Sequence, residues 1–148
     1  MKKYDIMLLS GGFDPVHKGH IECIQNALNY AEEIWIGINN DRWLENKKGK
    51  IFMGEGERAF IMSNIKGVSW TYIMDPPDPE DKTATDFIMA ALRRRPYGSL
   101  AFGNGGDRVE NNVPTSEESL CKENGVDMVW GLGDKVQSSS WLLENYKE

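Results

Sequence analysis

The sequence predicts a doubly wound, Rossmann-like α/β fold, a five-stranded parallel sheet with helices on both faces. Short apolar runs alternate with segments whose apolar residues recur at helical spacing, the pattern of strand–helix–strand units. Three glycine-bearing segments, 11–20, 103–107 and 131–140, each follow an apolar run, where open parallel sheets place their ligands. A length of 148 residues, 40% hydrophobic and 27% charged, predicts a single globular domain over residues 1–148.

Taken in order, residues 4–9 read as a short buried strand. Ile21, Ile24, Ala27, Leu28 and Ala31 fall at helical spacing and predict an amphipathic helix beginning at Ile21. Residues 34–38 form the second strand. Residues 39–55 are polar and lysine-bearing, a loop region with a short helix at 41–44. Phe60, Ile61 and Ile65 place a helix over 57–65, and the aromatic and β-branched residues of 69–74 a third strand. Asp75-Pro76-Pro77-Asp78-Pro79 is a loop. Thr83 and Asp86 mark a helix start, Phe87, Ile88, Ala91 and Leu92 give it one face, and Pro96 stops it. Residues 100–102 are the fourth strand. Thr115 and Glu118 match a capping box, with Gly125 at that helix's end. Residues 126–130 are the fifth strand, and Ser138, Ser139 and Ser140 offer N-caps for a last helix through 146. There is no internal repeat and no linker.

The net charge of −6 and a pI near 5.0 disfavour nucleic acid as a partner. Cys23 and Cys121 form no CxxC pair, which fits a reducing compartment. The N-terminal apolar run is too short for a signal peptide, and no stretch approaches a membrane span. A cytoplasmic protein with no membrane partner is the expectation.

Both histidines of the chain, His17 and His20, lie in Ser10-Gly11-Gly12-Phe13-Asp14-Pro15-Val16-His17-Lys18-Gly19-His20. Strand, glycine turn, histidines and helix start together suit phosphate. A helix N-terminus presents free backbone N–H groups to an anion, and glycine lets the backbone approach closely. An imidazole N–H can donate to a phosphoryl oxygen as its charge grows. Two other readings stay open: solvated or capping histidines, and a metal site shared with Cys23. GxxxxGK[ST] is absent, and no GxGxxG follows the first strand. Lys47, Lys48 and Lys50 are by default a solvated loop. Arg58 opposes the dipole at a helix start, which suggests either a bidentate phosphate contact or a surface ion pair with Glu55.

The segment Gly12–His20 resembles the HxGH signature of the cytidylyltransferase-like nucleotidyltransferases. Lys48-Gly49 followed by Glu57-Arg58 is similar to that family's lysine loop and the arginine opening its next helix. Gly105-Gly106-Asp107 is similar to the GGD turn of the heptose-phosphate adenylyltransferase branch, and Ser138-Ser139-Ser140 stands where the family has a Ser-Thr-Thr helix start. The resemblance implies transfer of a nucleoside monophosphate from ATP or CTP to a sugar- or polyol-phosphate, with pyrophosphate leaving. It implies catalytic roles for His17, His20, Lys48 and Arg58. It implies nucleotide contacts at Gly11, Gly12, Phe13, Asp14, Gly19, Gly105, Gly106, Asp107, Ser138, Ser139 and Ser140. Mg²⁺ would arrive with the NTP, no protein metal site is implied, and a homodimer is the expected assembly. A glycerol-3-phosphate cytidylyltransferase and a non-catalytic nucleotide-binding module are the alternatives. The Gly-Gly-Phe-Asp-Pro turn is closer to adenylyltransferases of cofactor synthesis, and the triple serine lacks threonine methyls.

Overall fold

A computed structural model of the chain describes residues 2–94, 98–105 and 112–133. The element order is β1 (Tyr4–Gly11), α1 (Lys18–Ala27), β2 (Ala31–Asn39), α2 (Asp41–Lys48), α3 (Glu55–Ser63), β3 (Val68–Met74), α4 (Thr85–Arg94), β4 (Leu100–Gly103), α5 (Thr115–Glu123) and β5 (Asp127–Val129). The five strands form one parallel sheet in the order β3-β2-β1-β4-β5. The chain steps outward from β1 on one side and then crosses to β4 on the other. The order therefore reverses beside β1, and a crevice opens there at the strand C-termini.

Alternation along β1 divides the core. Met7 and Leu9 face one side, where Ile24 and Ala27 of α1 and Met62 of α3 cover them. Ile6 and Leu8 face the other, under Phe87, Ile88 and Ala91 of α4 and Cys121 of α5. Burying a side chain such as Phe87 or Ile88 stabilises the fold by roughly 1.5–3 kcal/mol. Gly37 makes room for Phe87: a Cβ there would lie 2.4 Å from the Phe87 ring.

Several boundaries differ from the sequence expectation. Helix α1 begins at Lys18 rather than Ile21, because the two histidines cap it, and Ala31 opens β2. The polar 39–55 segment holds a full helix, α2, capped by the Asn40 side chain accepting from Trp43 N at 2.8 Å and closed by Gly49 at φ 86°. Its helical pattern is hidden in sequence because Leu44 is its one buried residue. The Thr115–Glu118 capping box does not form. Pro114 occupies the N-cap position, Thr115 is already helical, and no side chain caps the end. The expected helix after Ser138 lies outside the described residues.

Candidate active site

The crevice is built on the turn after β1. Phe13 carries φ 53°, a left-handed conformation rare outside glycine, and its ring is buried edge-on against His20 at 4.9 Å. The turn is held from beneath by two charged side chains. Asp14 is 1% exposed, and its carboxylate accepts from the backbone N–H of Phe52 at 2.8 Å and of Met53 at 2.6 Å. Arg58 is fully buried: its Nη1 donates to the carbonyls of Gly12 (2.9 Å) and Asn39 (2.6 Å), its Nε to that of Met53 (2.9 Å). Its Nη2 meets the Asp41 carboxylate at 2.7 Å. One guanidinium thus ties the ends of β1 and β2 to the start of α2 and to the segment before α3.

These contacts correct two site expectations. Arg58 pairs with Asp41 rather than Glu55, and its guanidinium is sealed inside and bonded to three carbonyls and that carboxylate, a bracing role in place of the expected phosphate contact. Asp14 likewise has its carboxylate turned inward onto backbone amides. Both shape the turn from below.

The histidines stand at the start of α1. His17 is its N-cap, and its Nδ1 accepts from Gly19 N at 3.0 Å. His20 reaches back, and its Nδ1 accepts from His17 N at 3.1 Å. The rings stack with centroids 3.8 Å apart. This reciprocal arrangement does the work usually given to Ser and Glu in a capping box. It also sets the tautomer. A ring nitrogen that accepts a hydrogen bond carries no proton, so each neutral imidazole bears its proton on Nε2. Burial, and secondarily the His17 charge, pushes the His20 pKa down to about 4; burial lowers that of His17. Near neutral pH the pair therefore offers two Nε2–H donors. Gly19 has no side chain because a Cβ there would lie 2.9 Å from the His17 ring.

The expectation of free backbone amides at this helix start is narrowed. The N–H groups of Gly19, His20 and Ile21 are all taken by His17, the first by its ring and the others by its carbonyl. Imidazole donors stand in their place. The capping role and the polar-contact role, rival readings in sequence, are compatible because they use different ring nitrogens. The metal alternative is not supported: among the described residues no group of three or more His, Cys, Asp or Glu is placed to hold an ion.

Lys48, the last residue of α2, points into this turn. Its Nζ donates to the Asp14 carbonyl at 3.1 Å and lies 3.8 Å from the Asp14 carboxylate. An ammonium has three donors, so this anchoring leaves capacity for an anion.

Across the crevice, β4 runs on into Asn104 and Gly105. Asn104 donates its Nδ2 to the carbonyls of Phe102 and Val129, and its buried Oδ1 has no partner among the described residues. Gly105 sits against the Cys23 thiol of α1: an added Cβ would be 3.0 Å from the sulfur. The sequence reading passed over Asn104, whose signal was its place between a strand end and the Gly105-Gly106 pair. Gly106, Asp107, Ser138, Ser139 and Ser140 lie outside the described residues.

A parallel sheet whose order reverses beside a histidine-capped helix defines a Rossmann-like α/β protein with its polar cluster beyond the strand C-termini. Residues 8–141 match the cytidylyltransferase-like family, and the chain belongs to that family. It is 33% identical over 115 residues to the bifunctional protein HldE of Koribacter versatilis, covering 76% of this chain and 21% of that protein. The chain thus spans about a fifth of the length of that curated relative. Its fold is shared with the lipopolysaccharide core biosynthesis protein of Thermoplasma volcanium, at TM-score 0.61 and 19% identity, covering 86% of this chain and 94% of that one. It is shared also with a bifunctional NMN adenylyltransferase/ADP ribose pyrophosphatase of Francisella tularensis complexed with AMP and a manganese ion. There the TM-score is 0.64 at 18% identity, covering 96% of this chain and 41% of that one. No helix among the described residues is long and apolar enough to cross a membrane.

Proposed function

We propose that this domain transfers a nucleoside monophosphate from an NTP to a phosphorylated small molecule. An oxygen of the acceptor phosphate attacks the α-phosphorus, the bond to the β-phosphate oxygen breaks, and pyrophosphate leaves with the electron pair. The observation that carries this reading is the pair of imidazoles whose Nδ1 atoms are taken by the helix start, leaving two Nε2–H donors on one turn with Lys48. Such a step asks little covalent chemistry of the protein, so catalysis is positioning and charge stabilisation. His17 and His20 donate to α-phosphate oxygens as negative charge builds there. As neutral donors with fixed tautomers they need no proton movement to be ready. Lys48 neutralises the departing pyrophosphate. Mg²⁺ enters as part of the NTP complex, which keeps most of its water and needs few protein ligands. The GGD turn and the triple serine complete the nucleotide side by resemblance. The HldE relationship and the sequence of that turn favour a sugar phosphate as acceptor and ATP as donor.

The test is pyrophosphate release with ATP or CTP against a panel of phosphorylated sugars and polyols. His17→Ala and His20→Ala should each lower kcat by roughly 10²–10³-fold with the best pair, the usual cost of losing one transition-state donor. Wild-type rates in both variants would sink the mechanism. Tight NTP binding with no turnover for any acceptor would favour a non-catalytic nucleotide-binding module instead.

A further inference from the structure

Among the described residues, the turns after β4 and β5 have few anchors, and the helix that begins with His17 and His20 supplies two of them. One turn beyond His20, Cys23 stands against both turns. A Cβ on Gly105 would lie 3.0 Å from the Cys23 sulfur, and one on Gly133 3.4 Å from the Cys23 Cβ. The two glycines also close on each other, since the same Gly105 Cβ would be 3.4 Å from Gly133 N. One turn further along α1, the Asn26 Nδ2 donates to the Leu132 carbonyl at 2.6 Å.

Leu132 joins these contacts. Its side chain is buried in the core cluster that holds Ile24 of α1. Its N–H donates to the Asn104 carbonyl at 3.2 Å. The helix and the two turns therefore close a triangle: Asn26 to Leu132, Leu132 to Asn104, and Gly105 back to Cys23. No corner can shift without straining the other two.

At 1.5 Å of rise per residue, Cys23 stands about 4.5 Å and Asn26 about 9 Å along the axis from His20. The helix fixes those spacings, so the side chains at 23 and 26 decide where the two turns sit relative to the imidazoles. Burial pushes the Cys23 thiol pKa up, so near neutral pH the thiol is uncharged and behaves as a small apolar body.

Resting on the transfer reaction proposed above, we infer that Cys23 and Asn26 are positioning residues of the active site, holding the turns after β4 and β5 at the distance from His17 and His20 that a bound nucleotide must span. Both act through other residues rather than on the reacting atoms. Cys23 acts by bulk, setting how closely Gly105 and Gly133 approach α1. Asn26 acts by one directed hydrogen bond, which fixes the β5 turn along the helix axis.

A size exchange tests the first contact. Gly105→Ala should lower kcat/KM for the NTP by roughly 10- to 100-fold, the scale of a displacement near 1 Å. Adding Cys23→Ala removes the sulfur and should bring kcat/KM back to within about three-fold of Cys23→Ala alone. No recovery in the double variant would mean that residue 105 acts on the nucleotide directly, and overturns the role of Cys23. Asn26→Ala should raise the NTP KM about ten-fold and leave the acceptor KM within about two-fold. Asn26→Asp, of the same size but without the donor, should match it. Equal rises in both KM values, or wild-type constants in the aspartate variant, overturn the role of Asn26. Exchange of the Leu132 amide, taken relative to its intrinsic rate, reads the same bond in the free protein. Asn26→Ala should lower its protection about ten-fold while the amides of β1 keep theirs. Unchanged protection at Leu132 overturns the spacing role whatever the chemistry. ATP or CTP that binds the wild type, binds Gly105→Ala and Asn26→Ala more weakly, and yields no pyrophosphate with any acceptor overturns the reaction while leaving the spacing role standing.

Discussion

The turns after β1 and after β4 face one crevice, and they are held in different ways. The β1 turn rests on buried charge: Asp14 bonds backbone 38 and 39 residues along the chain, and Arg58 reaches back 46 residues to the Gly12 carbonyl. The β4 turn rests on backbone pairing, Asn104 N to the Val129 carbonyl and Leu132 N to the Asn104 carbonyl, with Gly105 fitted against Cys23. A charge-braced turn is preorganised, as transition-state donors require. A turn held by a few amide bonds and a small residue is the kind that can adapt to a ligand.

The largest break in this contrast should come from Arg58→Met. It strips partners from three carbonyls and from Asp41, and equilibrium urea unfolding should show a loss of about 3 kcal/mol or more. A loss under 1 kcal/mol would mean that the guanidinium is not the brace. His17→Asn sharpens the contrast differently. Asparagine is a good N-cap, so stability should stay within about 1 kcal/mol while kcat falls as in the alanine variant. Equal losses of stability in both variants would show that the ring matters for capping alone. Asp14→Asn keeps an acceptor for one amide and brings an N–H toward the other; unfolding should register about 1.5–3 kcal/mol. Asn104→Ala, on the lightly held side, should cost about 1 kcal/mol, because Val129 keeps its backbone partner.

The histidine cap of α1 predicts a pH dependence. Unfolded His20 binds a proton as pH falls through about 6.5, whereas folded His20 waits until about pH 4. Between those values the unfolded state holds more protons, so stability falls as pH falls. Chemical denaturation across that window should show the slope, and His20→Asn should flatten it.

Much of this was legible in the sequence. Strand–helix alternation carried the parallel sheet, and the spacing of His17 and His20 after a glycine turn pointed to the candidate site. The order of Lys48 along the chain did not show that it reaches the β1 turn; its bond to the Asp14 carbonyl does. What was hidden had physical causes. Helix α2 buries only Leu44, so it lacks the stripe that marks an amphipathic helix. Arg58 drew attention by its unfavourable place at a helix start, but charge sequence cannot show that the side chain points inward to three carbonyls. Thr115 and Glu118 had a capping spacing, yet Pro114 took the cap and shifted the helix by one residue. Histidine is not an ordinary cap, which is why the start of α1 was placed three residues late.

The Nδ1 bonds that begin α1 make proton position and backbone winding a single variable. Adding a proton to either ring puts it on the nitrogen already facing a backbone N–H, so one of the two must withdraw. The resulting imidazolium would also face the positive end of the helix dipole. Acid should therefore loosen the first turn of α1 before it ever presents a charged ring to a substrate, and the protection of the Gly19 amide against exchange, taken relative to its intrinsic rate at each pH, should fall ahead of global unfolding.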